Sequence, residues 1–306
     1  MAAQQAAAPQ AAAYHAVAGH AAGRALVLGG GGVAGIAWIT GLLAGLADAG
    51  QDVTGADLLI GTSAGAAVAA QLGSGLSLDG LYARQVDPAL QSTEIAAEID
   101  FAQFAEDLAP YLAKADTFDG QLRQFGVFAL AATTVPEADR LAVIASRLPS
   151  HDWPSRDIRL VAVDCETGSA AVFTPASGVS LIDAVAASCA VPGIWPPVTI
   201  GGSRYMDGGV RSSDNADLAE GASEILVISP LGMDSPLPTQ MPLREVVAKL
   251  RAEGALVTVI EPDEASKAAI GINALDPATR VPAANAGRAQ GRAGLPPAAW
   301  QRQQAG

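Results

Sequence analysis

Residues 25–35 read Ala-Leu-Val-Leu-Gly-Gly-Gly-Gly-Val-Ala-Gly, and residues 57–65 read Asp-Leu-Leu-Ile-Gly-Thr-Ser-Ala-Gly. Each stretch begins with a short apolar run, passes through a glycine-containing turn and enters a segment with the composition and apolar spacing of a helix. Two consecutive strand-turn-helix units are typical of a parallel sheet with helices on both faces. The sequence therefore predicts a three-layer α/β/α fold around a central, mostly parallel sheet.

The remaining apolar pattern divides the chain into regions. Residues 76–150 carry several helical periodicities and few β-branched residues, which predicts a mostly helical insertion. Strand-like runs follow at residues 158–163, 170–173, 224–229 and 256–260. We expect a disordered Ala/Gln-rich tail at residues 1–23, one folded domain at residues 24–276 and a flexible Ala/Gly/Pro/Arg-rich tail at residues 277–306.

Composition excludes several classes of function. The 306 residues carry a net charge of −13, which disfavours binding to nucleic acid because phosphate backbones attract clustered Lys and Arg. Polar residues, Gly or Pro interrupt the apolar runs, so no membrane-spanning helix is predicted. The two cysteines, Cys165 and Cys189, are typical of small buried apolar residues, and the first residues lack the pattern of a secretory signal. We therefore expect a cytoplasmic protein.

A candidate nucleophile lies in the second unit. The pattern Gly61-Thr62-Ser63-Ala64-Gly65 follows a predicted strand and precedes a predicted helix. A nucleophile elbow needs small flanking residues at this place, because a strained turn lifts the serine hydroxyl clear of the sheet. Alone, the pattern is equally typical of a tight turn whose serine caps the following helix.

The usual histidine partner of such a serine is missing from the expected place. The chain has three histidines, none of them after residue 151: His15, His20 and His151. The proton of Ser63 would then pass to a carboxylate in surroundings poor in water. Asp207 is the best placed candidate, since it ends an apolar stretch and precedes Gly208 and Gly209, although Asp-Gly is also a common turn pair.

The glycine run offers backbone donors. The amides of Gly30–Gly35 at a helix N-terminus, with the amide of Ala64, are suited to stabilise the oxyanion that forms when a serine attacks a carbonyl. The same run satisfies the dinucleotide pattern G-x-G-x-x-G, and Asp48 and Asp52 lie near the distance for a ribose contact. Residues 53–60 lead into the serine turn instead of ending in an acidic residue, which favours the elbow.

Four blocks of sequence occur in order along the chain: Gly30–Gly35 before an apolar helix, Gly61–Gly65, Ala187–Gly193 with Pro196-Pro197, and Asp207–Gly209. Together they resemble the patatin-like phospholipase family, and the resemblance runs from about Arg24 to Ile260. It implies a patatin-like fold. It also implies cleavage of acyl esters in phospholipids or neutral lipids without a metal or a cofactor.

The resemblance further implies roles for single residues. Ser63 and Asp207 correspond to a catalytic Ser-Asp dyad. The oxyanion hole is built from glycine-loop amides, which fall on Gly30, Gly31 and Gly32. The expected partner is a lipid or another acyl-ester substrate. A transient contact with a membrane surface stays open, and the sequence indicates no oligomeric state.

Two positions depart from the family pattern. Ala34 stands where the family usually carries Arg or Lys, and Asn215-Ala216-Asp217 stands where Asn-x-Pro is common. Loss of a cation weakens contacts to an anionic headgroup but leaves the amide donors in place. Other functions therefore stay open: a small-ester esterase, a thioesterase or a transacylase on the same site, or a binding or regulatory protein that keeps the fold without turnover.

Other polar residues are predicted to be structural. Asp164, Asp183 and Asp214 fit positions in a turn, at a helix start or at the surface. The sequence has no Cys/His cluster with zinc spacing and no EF-hand loop, so no metal is expected.

Overall fold

The computed structural model describes residues 23–295 and residue 300, apart from residue 98, residues 235–238 and residue 240. The predicted N-terminal tail, except residue 23, lies outside the described residues. So do residues 296–299 and 301–306 of the predicted C-terminal tail.

Eight strands form one sheet in the described ranges. They are β1 (Arg24–Leu28), β2 (Leu58–Thr62), β3 (Asp157–Asp164), β4 (Ala170–Phe173), β5 (Val198–Ile200), β6 (Ser203–Asp207), β7 (Glu224–Ile228) and β8 (Leu256–Ile260). Across the sheet the order is β5-β6-β3-β2-β1-β7-β8, and β4 also pairs with β3. The strands from β3 to β8 in that order are mutually parallel, whereas β4 and β6 are antiparallel to β3. The prediction of a mostly parallel sheet is confirmed.

Helices cover both faces of the sheet. They are α1 (Gly32–Asp48), α2 (Ala64–Leu72), α3 (Leu78–Val86), α4 (Phe101–Leu112), α5 (Phe118–Ala131), α6 (Glu137–Arg147), α7 (Leu181–Ser188), α8 (Leu243–Ala252), α9 (Glu264–Ile270) and α10 (Arg280–Gly291). Along β1, Leu26 and Leu28 join a core with α1, α2 and α7, and Ala25 and Val27 join a second core with α8. These two cores confirm the three-layer α/β/α prediction. Within the described ranges, no helix has the length and apolar character needed to cross a bilayer.

The segment predicted as a helical insertion, residues 76–150, contains α3, α4, α5 and α6. Aromatic rings join α4 to α5: Phe128 lies edge-on to Phe104 and Tyr111, with centroid distances of 5.8 and 5.3 Å. Phe128 also lies against Gly193, where a Cβ atom would come within 2.4 Å of the ring. Helix α5 therefore packs against the irregular segment that follows α7.

The C-terminal residues correct one prediction. Residues 280–291, assigned above to a flexible tail from residue 277, form α10 and pack along α1. Arg288 donates to both carboxylate oxygens of Asp48, at 2.8 and 2.9 Å, and so anchors α10 to the end of α1. The tail prediction is therefore wrong for the described residues of this segment.

Glycines explain why this Ala/Gly-rich segment folds. A Cβ atom at Gly41 of α1 would lie 2.1 Å from the carbonyl oxygen of Ala284, and one at Gly287 of α10 would lie 2.3 Å from that of Trp38. The two helix backbones are thus in direct contact, and many weak dispersion contacts form along the crossing. The composition typical of a flexible tail serves here as a close helix interface.

Gly41→Ala should destabilise the fold by about 1–3 kcal/mol, because the added methyl group has no room against the Ala284 carbonyl. Urea unfolding measures this change. Gly55→Ala is the matched control, since a Cβ atom at Gly55 meets nothing within 4 Å, and its effect should stay within about 0.5 kcal/mol. Equal stability of the two variants would contradict the close crossing of α1 and α10.

Candidate active site

Ser63 lies at the apex of the turn between β2 and α2. Its φ and ψ angles are 52° and −112°, a conformation that residues with a side chain rarely adopt. Glycine makes this turn possible: a Cβ atom at Gly65 would lie 1.9 Å from the Leu28 carbonyl oxygen, and one at Gly61 would lie 2.7 Å from Cα of Ala66. The strand-turn-helix context that the sequence predicts for Ser63 is present.

Buried hydrogen bonds hold the strained turn. The Ser63 amide donates to Oγ of Ser188 at 2.9 Å, and the Ser188 hydroxyl donates to the Val161 carbonyl at 2.6 Å. The Cys189 thiol donates to the Ser63 carbonyl at 3.2 Å. Strained backbone persists only where its surroundings fix it. Sequence reasoning placed Ser188 and Cys189 in a family block but missed this role, which only the tertiary contact reveals.

Asp207 ends β6, and both β6 and β2 pair with β3. On β3, Val161 is opposite Thr62 and the next residue, Ala162, is opposite Asp207. The ends of β2 and β6 therefore meet over the same point of β3. The Ser63 hydroxyl interacts there with the Asp207 carboxyl, which is only 4% exposed.

The surroundings of Asp207 change its acidity. Burial raises the pKa of Asp207 to about 7, because loss of water disfavours the charged carboxylate. Three groups partly offset this effect: the Ser63 hydroxyl, the Gly209 amide, which donates to Oδ1 at 2.7 Å, and the positive charge of Arg140. A carboxyl group with this pKa is suited to take up and return a proton near neutral pH.

In the glycine loop between β1 and α1, one of the predicted oxyanion-hole donors is wrong. The Gly30 amide donates to the Ser213 carbonyl at 2.8 Å, so it is engaged elsewhere and leaves the predicted oxyanion set. In the part of the chain that the structure describes, the amides of Gly31, Gly32 and Ala64 donate to no protein acceptor. The last two lie at the N-termini of α1 and α2, where the helix dipoles favour negative charge.

A small, partly open cavity of about 10 Å³, with room for about one water molecule, lies beside Ser63, Gly32 and Ala64. Its lining consists of Gly32, Val33, Ile36, Ser63, Ala64, Arg140, Arg147, Cys189, Val191, Trp195 and Leu275. The arrangement combines a hydroxyl group, a neighbouring carboxyl group and amide donors, which are the kinds of group that acyl transfer requires. Among the described residues, no group of His, Cys, Asp and Glu side chains could hold a metal ion.

A model of the patatin-like phospholipase family matches residues 26–220. The chain belongs to this family. The matched range contains the glycine loop, Ser63 and Asp207, so the resemblance inferred from the four sequence blocks is confirmed. The α/β/α domain described above is thus a patatin-like domain.

Two solved structures are similar to this patatin-like chain at low identity. VipD from Legionella pneumophila is 12% identical, with a TM-score of 0.44, and the match covers 88% of this chain and 66% of that one. The type III effector protein ExoU is 14% identical, with a TM-score of 0.35, and the match covers 89% of this chain and 53% of that one. The chain therefore spans less than two thirds of either protein. No curated protein matches the sequence significantly.

The three carboxylates for which the sequence predicts structural roles differ in their position and burial in the patatin-like domain. Asp164 accepts the amides of residues 166 and 167 in a turn, and Asp183 lies in the first turn of α7, as predicted. Asp214 is only 1% exposed, so the surface interpretation is wrong for this residue. It packs against Gly29, where a Cβ atom would lie 2.2 Å from Oδ1, and burial raises the pKa of Asp214 to about 7.

Arg140 is a cavity residue that sequence reasoning missed. Helix α6 places Arg140, Val143, Ile144 and Arg147 on one buried face, with spacings of three and four residues. The sequence carried one signal of this burial: Arg140 and Arg147 occupy positions of α6 where the helical period places apolar residues. The guanidinium of Arg140 lies 3.9 Å from the centre of the Trp195 ring, in the cavity that contains Ser63.

Asp214→Asn should flatten the dependence of stability on pH. The folded-state pKa of about 7 lies above the unfolded value, so the stabilisation from protonated Asp214 is complete at low pH and is lost as pH rises through 7. The melting temperature of the variant should exceed that of the wild type by about 5 °C at pH 8 and match it more closely at pH 5. The exposed Asp152→Asn is the control. A wild-type pH profile for Asp214→Asn would show that this carboxyl does not titrate with folding.

Proposed function

We propose that the protein is a serine acyl hydrolase that cleaves acyl ester bonds of lipids. The observation that carries this proposal is the contact between the Ser63 hydroxyl, at a strained and hydrogen-bonded turn, and the buried carboxyl group of Asp207. Membership of the patatin-like phospholipase family supports the same reaction class. Ser63 acts as the nucleophile and Asp207 as its general base.

The mechanism begins when the Asp207 carboxylate takes the proton of Ser63 and Oγ attacks the ester carbonyl. Negative charge develops on the carbonyl oxygen, which accepts hydrogen bonds from the amides of Gly31, Gly32 and Ala64. Collapse of this intermediate breaks the ester bond, and Asp207 returns its proton to the leaving alcohol. Asp207 then takes a proton from water, the hydroxide attacks the acyl-serine, and the fatty acid leaves as Ser63 regains its proton.

The cavity lining supports an acyl substrate. Apolar side chains from α1, the segment after α7 and the segment before α10 face the serine: Ile36, Val191, Trp195 and Leu275. A volume of about 10 Å³ is much smaller than an acyl chain, so most of a bound chain needs space beyond this cavity. Hydrolysis of small esters or thioesters, and transfer of the acyl group to an alcohol, use the same groups. Product analysis with an added alcohol separates transfer from hydrolysis.

A transient contact with a lipid surface belongs to the proposal, because the substrate lies in such a surface. Helices α4 and α5 expose apolar side chains, among them Phe101, Val127 and Leu130. These helices pack beside Gly193, two residues from Val191 in the cavity lining. The exposed apolar residues therefore belong to helices that pack against the segment carrying Val191 of the cavity lining.

Ser63→Ala should abolish covalent labelling by a fluorophosphonate probe and lower ester hydrolysis by about 1,000-fold or more, because no other group replaces the nucleophile. Labelling is measured by intact mass, and hydrolysis with a panel of lipid and short-chain esters. Ser150→Ala, outside the cavity lining, is the control and should retain both activities. Hydrolysis that survives Ser63→Ala would end the proposal. A folded wild type that neither labels nor hydrolyses would indicate a binding protein.

Asp207→Asn should lower turnover by about 100-fold or more, because an amide cannot accept the serine proton. In the wild type the rate should rise with pH and level off above an apparent pKa of about 7, since only the deprotonated carboxyl acts as a base. Rates of ester hydrolysis between pH 5 and 9 measure both effects, and Asp164→Asn serves as the control. A wild-type rate that does not change with pH across this range would rule out Asp207 as the base.

A further inference from the structure

Arg140 is a buried cation with unsatisfied donors. It is 4% exposed, and in the part of the chain that the structure describes its Nε and Nη1 atoms have no hydrogen-bond partner. Buried polar groups are normally paired, because an unpaired donor loses water without a replacement. The Trp195 ring under the guanidinium offers a cation–π contact but no oxygen acceptor. Arg140 therefore lacks the acceptors that its burial calls for.

The guanidinium lies beside the reacting groups. Arg140 lines the same cavity as Ser63, Gly32 and Ala64. Its charge lowers the pKa of Asp207, and the Asp207 charge in turn raises that of Arg140. Ala34 leaves the glycine loop without a cation, whereas Arg140 brings one to the cavity from α6.

The neighbouring charges leave an excess of positive charge. Arg147 and Arg280 both bind Glu94, at 2.6 and 2.7 Å, so this carboxylate is already shared between two guanidiniums. Burial, and then the charge of Arg147, lower the pKa of Arg140 to about 10, which still keeps it protonated at neutral pH. Even with Asp207 ionised, the three cations Arg140, Arg147 and Arg280 outnumber the two anions Glu94 and Asp207. An anionic ligand would balance this excess of positive charge.

We propose that Arg140 is a substrate-binding residue that takes the phosphate group of an acyl ester and so determines a preference for phosphate-bearing over neutral lipids. This inference rests on the proposed function, because it places the substrate ester at Ser63 and its phosphate at Arg140. A planar guanidinium matches the oxygens of a phosphate group, and its binding is strongest where water is excluded. The unpaired donors then gain acceptors when substrate binds.

The test compares two esters with the same acyl chain, octanoyl glycerol phosphate and octanoyl glycerol, both below the concentration at which they aggregate. The wild type should prefer the phosphate ester in kcat/KM, and Arg140→Gln should reduce that ratio by about 10- to 100-fold, mainly through KM. Arg244→Gln, an exposed arginine on α8, is the matched control and should keep the ratio. An unchanged ratio in Arg140→Gln would overturn the proposal.

Inorganic phosphate distinguishes a lipid phosphate from a free anion. If Arg140 serves the substrate, phosphate should inhibit only weakly and the preference between the two esters should persist. Strong inhibition by phosphate in the wild type but not in Arg140→Gln, without any preference between the esters, would mean that the site holds a free anion and would overturn the assignment. If Arg140→Gln fails to fold, Arg140→Lys replaces it. The lysine keeps the charge with fewer donors, so an intermediate ratio is expected and a wild-type ratio would count against the proposal.

Binding separates this inference from the proposed function. Ether analogues of the two esters cannot be hydrolysed, and calorimetry measures their affinity for Ser63→Ala and for Ser63→Ala with Arg140→Gln. The phosphate analogue should lose about 10- to 100-fold in affinity in the double variant, and the neutral analogue much less. Failure of the proposed function appears as absent hydrolysis of both esters by the wild type. Failure of the Arg140 assignment appears as equal affinity of the phosphate analogue for both variants.

Discussion

The removal of water from one carboxyl group is the constraint on which the site depends. Asp207 is buried between β3 and the turn that carries Ser63, and among the described residues a hydroxyl, one amide and the cation of Arg140 partly compensate its charge. An ionised carboxylate with more donors would be too weak a base for a serine hydroxyl, and a carboxyl with none would stay protonated. The partial compensation keeps its proton affinity near neutrality, where a single group can work without an imidazole.

Close backbone contacts bring these groups together. Gly208 lies so near β3 that a Cβ atom would come within 2.3 Å of the Val161 carbonyl, and Gly65 lies equally close to the end of β1. The proposed dyad therefore depends on positions where any side chain would separate the strands from the turns. The Val161 carbonyl also accepts the Ser188 hydroxyl, whose oxygen accepts the Ser63 amide. Ser63 and Asp207 thus share a common support on β3.

Local sequence patterns predict the features of the fold and site that depend on residues near one another in the chain. The strand-turn-helix units, the serine turn and the order of the family blocks follow from apolar periodicity and from glycine at close turns. The engagement of the Gly30 amide depends on Ser213, far along the chain, and no local pattern reports it. The helical period places Arg140 on the apolar face of α6, but only the fold shows that it lies in the cavity with Ser63. Helix α10 escaped prediction because close helix packing and flexible tails use the same small residues.

The support of the glycine loop extends beyond the range that defines the family. The Ala274 carbonyl accepts the amide of Ala34 at 2.9 Å, and the segment around it leads into α10 along the back of α1. β7, which also lies beyond residue 220, occupies the interior of the sheet next to β1. A fragment of residues 26–220 would lack β7, so β1 would become an edge strand of the sheet. It would also lack Ala274, whose carbonyl accepts the Ala34 amide after the glycine loop. The smallest autonomous folding unit is therefore larger than the homologous region, and truncation experiments should respect that longer boundary.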